Sequence, residues 1–145
     1  NKEWRLTKTI LPQHTDHAGV LWHGSYINFL EEGRIDALKK VGISYSKLSQ
    51  EGFEMPLISL EINYKKAFMH GEKVYLRSQF LLFKKIRLKC KTLFLKEKGD
   101  VAAEALIDLV VVSRKNNSIK LVRKLPEKLK KTFSLLEIGI ENEKD

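Results

Sequence analysis

Asp16 stands in a short run that carries most of the chemistry this sequence offers: His14-Thr15-Asp16-His17-Ala18-Gly19, then His23-Gly24 just ahead of a helical pattern. A carboxylate on a loop in front of a helix N-terminus can serve as a nucleophile or as a general base. The backbone N–H groups that open a helix lack intrahelical partners and carry partial positive charge. They can therefore receive an oxygen on which negative charge develops. Gly19 and Gly24 allow backbone conformations and close approaches that side chains resist. The same residues also have plainer uses. Aspartate is common in loops as a turn or capping residue, and His23 can be a packed or capping histidine. His14 and His17 bracket Asp16 but make a poor metal site, because no further ligand pattern accompanies them.

Positioning these groups needs a strand, a loop and a helix in that order. Trp4 to Leu11 alternates loosely and reads as a strand that Pro12 ends. Residues 12–24 form a loop, and a helix is predicted from Ser25 to Val41, closed by Gly42. Its inner stripe is Tyr26, Leu30, Gly33, Ala37 and Val41. Gly33 and Ala37 are small, which suits a helix backbone lying close against a flat sheet. Beyond Gly52 the period changes to two. Leu57–Tyr64, Lys73–Phe83, Ile86–Leu95 and Val101–Val112 read as strands, followed by a short strand Ser118–Arg123, Pro126 and a brief basic helix. The tail from Ser134 onward is expected to be peripheral. One helix on a large antiparallel sheet is an α+β architecture. The helix covers one face, and an apolar opposite face is expected to pair with another copy.

From His14 to Arg34 the sequence resembles the hotdog-fold acyl-CoA thioesterases of the 4-hydroxybenzoyl-CoA thioesterase class, particularly the branch that accompanies the Tol–Pal system. Their pattern is Thr-Asp-x-x-Gly-Val-x-x-His-x-x-Tyr-x-x-x-Phe-Glu-x-x-Arg, and Thr15, Asp16, Gly19, Val20, His23, Tyr26 and Arg34 fall in matching positions. The acid of the Phe-Glu pair appears as Glu31, two positions after Phe29. Met55-Pro56-Leu57-Ile58 resembles the family's entry into its second strand. Tyr64-Lys65-Lys66-Ala67 resembles its Tyr-x-x-Pro-Ala turn, with Lys66 in place of proline. The resemblance covers residues 4–133 and implies a single hotdog domain over 1–145, with 134–145 as tail. One long helix would be wrapped by a five- or six-stranded antiparallel sheet, in a homodimer or homotetramer.

For the site, the resemblance implies that Asp16 is the catalytic carboxylate and that His23 lies at the helix opening. The N–H groups of His23 and Gly24 would then polarise a thioester carbonyl. Glu31 would hold the histidine or the helix opening, or else form a surface ion pair with Arg34 at i+3. Trp22 either lines an acyl pocket or packs at an interface, and Tyr26 is a further substrate-binding candidate. Residues Pro56–Ser59 of a second copy would approach Asp16, Ser59 among them. No cofactor is needed, since coenzyme A belongs to the substrate. The acyl group stays open between aromatic (hydroxybenzoyl or 1,4-dihydroxy-2-naphthoyl) and short-chain aliphatic.

The chain has 145 residues, with 43% hydrophobic and 31% charged, which excludes a disordered chain. No apolar run is long enough to cross a bilayer, so no integral membrane association is expected. The first residues lack the apolar core of a secretion signal. Cys90 is the one cysteine, so an internal disulfide is excluded, and a cytoplasmic setting is expected. Cys90 itself reads as a buried structural thiol. The net charge of +9 favours an anionic partner. Lys84, Lys85, Arg87, Lys89 and Lys91 form the densest positive region; in similar thioesterases this turn often contacts the nucleotide phosphates of coenzyme A. A solvated strand face explains such a run equally well. Nucleic acid is the competing partner, with Tyr75 or Phe94 as stacking platforms. The sequence lacks an RNP-like aromatic motif and a helix-turn-helix, so no nucleic-acid partner is expected. A non-catalytic acyl-binding protein of the same fold is the third reading.

Overall fold

The computed structural model describes residues 2–139. In chain order they form β1 (Trp4–Thr9), a 3-10 turn (Pro12–His14), α1 (His23–Lys40), α2 (Tyr45–Gln50), β2 (Phe53–Glu54) and β3 (Leu57–Tyr64). Then follow β4 (Lys73–Phe83), β5 (Arg87–Leu95), β6 (Val101–Val110), β7 (Val112–Lys115), β8 (Ser118–Leu121) and α3 (Glu127–Ile138). Five strands make one antiparallel sheet in the order β1-β4-β5-β6-β3. A small second sheet has the order β2-β7-β8.

The period-two patterns become pleated strands with one face inward. On β5, Leu88, Cys90, Thr92 and Phe94 are buried, while Arg87, Lys89 and Lys91 point the other way. Val74, Leu76 and Phe80 of β4 and Ala103, Ala105, Ile107 and Leu109 of β6 complete the inner face. The predicted stripe of α1 is buried in full: Tyr26, Leu30, Gly33, Ala37 and Val41, joined by Phe29 and Leu38. Each such large side chain contributes roughly 1.5–3 kcal/mol when taken from water. Two hydroxyls sit inside this apolar layer because they pair directly across the ladder, Ser78 Oγ lying 2.8 Å from Thr92 Oγ1. Cys90 beside them is buried, and burial pushes its thiol up to about 11, so it is the inert thiol expected. No helix among the described residues is long and apolar enough to cross a membrane.

Four expectations are corrected. α1 starts at His23 rather than Ser25, which puts His23 and Gly24 in its first turn. The strand predicted to run through Val112 stops at Val110. There the N–H of Val111 turns to the carbonyl of Ile86 and the chain crosses into the second sheet. α2 and β2 are additional, too short to show a period. The segment from Ser134 is not peripheral over its described part: it continues α3, with Leu136 fully buried. Trp4 Nε1 donates to the carbonyl of Leu136 (2.8 Å), and the Glu137 carboxylate accepts the N–H of Leu82. Residues 140–145 of the predicted tail lie outside the described residues.

Gly33 faces the sheet as predicted, but the contact is not tight. A Cβ there would lie 3.6 Å from Leu76 Cδ2, an ordinary van der Waals distance. Gly33→Ala should therefore gain helix propensity without a clash and stabilise the protein by about 0.5–1 kcal/mol. Thermal unfolding should show a higher Tm; a lower one would mean that the helix sits closer to the sheet than this.

Candidate active site

The loop between β1 and α1 is held by its own backbone. The N–H of Leu11 donates to Nδ1 of His14 (3.0 Å), and the His14 ring stands edge-on to Phe29 at 5.0 Å. His14 is thus an acceptor at Nδ1 and a packing residue. Thr15 Oγ1 donates to the carbonyl of Pro12 (2.7 Å). Asp16 then closes a tight turn. Its Oδ1 accepts the N–H groups of Ala18 (2.9 Å) and Val20 (3.1 Å), and its own N–H donates to the carbonyl of Val20 (2.9 Å). Gly19 takes φ +78° within this turn, a value that favours glycine. Oδ2 accepts no hydrogen bond among the described residues. The turn-forming and the chemical readings of Asp16 are therefore compatible: one oxygen builds the loop and the other is left for a ligand.

The loop also leans on the segment before β4. Leu21 donates to the carbonyl of Phe68 (2.8 Å), and His70 donates to that of Gly19 (3.0 Å). That segment is fixed by Glu72, whose carboxylate accepts the N–H of Met69 and pairs with Lys96 Nζ at 3.1 Å. These bonds, the backbone N–H first, hold the Glu72 carboxyl below its ordinary range. Its support of the loop is present above the unfolded-state carboxylate pKa and is lost as pH falls through the lowered value.

α1 opens without a cap. Trp22 occupies the N-cap position, where its side chain accepts nothing, and its N–H donates back to the carbonyl of His14 (3.0 Å). Ser25, the residue best suited to capping, instead sends its hydroxyl to that same carbonyl (2.8 Å). Among the described residues the N–H groups of His23 and Gly24 find no partner. The Trp22 indole lies directly on Gly24: a Cβ there would sit 2.1 Å from the ring. The indole is half exposed and tilts against the His23 ring at 4.8 Å.

These elements border an open cleft of about 390 Å³, lined by Asp16, Val20, Leu21, Trp22, His23, Tyr26 and residues 64–67. Four predicted site residues thus come together, Asp16, Trp22, His23 and Tyr26, with Gly24 beneath the indole. Others do not join them. Glu31 is exposed and lies 3.9 Å from Arg34, the i+3 ion pair, away from the cleft. Ser59 opens onto the outer face of the sheet, in a depression shared with Gln79, Leu81, Lys89 and Leu106. Lys84 and Lys85 form the β4–β5 turn, both at positive φ, with Arg87 next to it. The loop of Asp16 meets the start of β4, whereas this turn follows its end. Across the 11 residues of β4 the separation is roughly 35 Å at ~3.3 Å per residue. Within one chain the basic turn and Asp16 cannot hold the same small molecule. Tyr64, Lys65, Lys66 and Ala67 were not expected as site residues. Their signal was the Tyr64-Lys65-Lys66-Ala67 turn, whose position beside α1 depends on the pairing of β3 with β6.

A five-stranded antiparallel sheet with one long helix on its inner face is the hotdog architecture. The chain belongs to the Thioesterase-like superfamily, whose model matches residues 10–133. Among its relatives, a candidate esterase of Synechocystis, sll0410, is 29% identical over 126 residues, covering 86% of this chain and 75% of that protein. YneP of Bacillus subtilis, a candidate acyl-CoA thioesterase, is 34% identical over 58 residues, 40% of this chain and 42% of that one. A solved structure described as DHNA-CoA thioesterase from Staphylococcus aureus superposes with a TM-score of 0.82 at 24% identity, covering 92% of this chain and 90% of that one.

Because the indole rests on Gly24, Gly24→Ala must push Trp22 off the helix opening. In a Trp4→Phe background, where Trp22 is the one fluorophore of its kind, its emission should shift and turnover of a thioester substrate should fall. An unchanged spectrum would show that the indole does not occupy this seat.

Proposed function

We propose that this protein hydrolyses an acyl-CoA thioester to a free carboxylic acid and coenzyme A. The carrying observation is that the Asp16 carboxylate and the unpartnered opening of α1 border one cleft. A thioester carbonyl lying against the N–H groups of His23 and Gly24 has its oxygen where negative charge is stabilised by two donors and the helix dipole. Asp16 then attacks the carbonyl carbon directly, or takes a proton from a water that does so. The C–S bond breaks, and the sulfur leaves as thiolate and is protonated. Where Asp16 is the attacking group the acyl is left on it as a mixed anhydride, which a water then hydrolyses to the free acid; an attacking water gives the acid in one displacement. Nothing in this scheme requires a cofactor. The acyl group is aromatic or short-chain aliphatic. The Asp16–Arg34 motif supports placement in the 4-hydroxybenzoyl-CoA class and its Tol–Pal branch, and the lone cysteine supports a cytoplasmic setting.

The site is completed by a second copy. β3 is an edge strand with one side unpaired, and Leu57, Ile58 and Tyr64 along it are exposed. An antiparallel pairing of two such edges sets the start of one β3 beside the end of the other. The partner's Pro56–Ser59 segment then comes to the cleft, and with it the partner's Lys84–Lys85 turn, since Leu57 and Arg87 both flank the end of β6 at Leu109 and Val110. This gives the basic turn access to the nucleotide phosphates that distance denies it within one chain. Sedimentation at micromolar concentration should show a dimer or tetramer.

Asp16→Asn keeps shape but loses charge and nucleophilicity, and should lower turnover at least about a hundredfold. His23→Ala should do less, because the N–H remains. Replacing Lys84, Lys85 and Arg87 together by Ala should raise KM for acyl-CoA and spare kcat, while barely affecting an acyl-pantetheine that lacks the nucleotide. Equal losses on both substrates would assign the cluster to the fold instead.

A further inference from the structure

Tyr26 is the buried polar side chain of the cleft that the chain leaves without a partner. The residue is 3% exposed, and its ring stands edge-on to Tyr64 at 4.9 Å and to Phe94 at 5.1 Å, with Phe68 at 6.4 Å. Among the described residues its hydroxyl makes no hydrogen bond, although Tyr26 lines the cleft together with Asp16, Trp22 and His23. Native proteins rarely bury a hydroxyl unpaired, and where they do the missing partner is often a ligand or an ordered water. The ring alone fills the aromatic layer, so phenylalanine would serve there equally well. Burial, with the Tyr64 phenol beside it, pushes the Tyr26 hydroxyl up to about 12. The group therefore remains a donor throughout the neutral range.

Helical side chains lean back over the turn before them. Tyr26, three residues beyond His23, thus carries its phenol toward the turn whose N–H groups are open. We propose that the Tyr26 hydroxyl is a hydrogen-bond donor held for an oxygen of the bound substrate, a third donor beside the N–H groups of His23 and Gly24. The acceptor is the thioester carbonyl or an oxygen carried on the acyl group itself. The inference rests on the acyl-CoA reading of the cleft, but it concerns binding as well as turnover and is testable apart from it. Tyr64, with its side chain half in solvent, supplies the neighbouring wall and not this bond.

The test is Tyr26→Phe, with Tyr64→Phe as control. Removing an unpartnered hydroxyl should leave Tm unchanged or raised; a fall of several degrees would show a structural bond and overturn the proposal. Against benzoyl-, 4-hydroxybenzoyl- and hexanoyl-CoA, Tyr26→Phe should lose at least tenfold in kcat/KM. An equal loss for all three, carried in kcat, assigns the bond to the thioester carbonyl. A loss confined to 4-hydroxybenzoyl-CoA assigns it to the acyl oxygen. Unchanged kinetics for all three, or equal losses in Tyr64→Phe, would overturn it. Binding supplies the arm that does not need turnover. The ketone analogue of 4-hydroxybenzoyl-CoA, with CH2 in place of sulfur, keeps both oxygens and should bind the wild type at least tenfold more tightly than Tyr26→Phe. Absence of hydrolysis by the wild type would defeat the thioesterase reading, whereas equal or undetectable binding of the analogue by both proteins would defeat this one.

Discussion

The carbonyl oxygen of His14 accepts two hydrogen bonds, from the Trp22 backbone and from the Ser25 hydroxyl, and the whole site depends on that choice. A serine at the start of a helix ordinarily turns its hydroxyl to the first N–H groups and closes the end, a gain of about 1 kcal/mol. Here the hydroxyl is spent on the loop, and the residue in the capping position is a tryptophan, which has no oxygen to offer. The helix therefore begins open, with its dipole uncompensated; no acidic residue lies in the first turn. The stability forgone at the cap is small beside the packing of α1, and what remains is a pair of oriented donors needing no rearrangement to receive an oxygen.

Asp16 shows how one residue can build a loop and still present a free oxygen to a cleft. A carboxylate has two oxygens and several lone pairs, so anchoring Oδ1 on Ala18 and Val20 fixes the direction of Oδ2. Treating turn formation and chemistry as rivals is a habit of reading residues one at a time. In the folded loop the turn is what orients the second oxygen, while Gly19 and the contacts to residues 68–70 keep the turn from opening.

Much of this was readable in advance because it is local. The stripe of α1, the alternation of β5 and the Asp16 turn each arise from residues near one another in sequence, where periodicity and turn chemistry act. The errors share one cause. The helix expected from Ser25 begins at His23, and the Ser25 hydroxyl goes to a tertiary acceptor, the His14 carbonyl, that local pattern does not show. The cleft wall from Tyr64 to Ala67 depends on how β3 registers with β6, which no local pattern reveals. The distance from Asp16 to Lys84 within one chain follows from strand order once the sheet is drawn, and neither charge nor motif spacing reveals it. The glycines divide similarly: Gly33, on the inner stripe, has room for a methyl group, while Gly24 bears the weight of an indole.

The bond from Leu82 to the Glu137 carboxylate has a bearing on solubility. β1 pairs with β4 only as far as Ser78, so the last part of β4 would present bare strand backbone along that side, the kind of edge on which other chains add and fibres grow. α3 shields it with a side chain that imitates the missing strand and carries a charge unwelcome to any intruder. The C-terminal helix is thus a guard against self-association of the wrong kind.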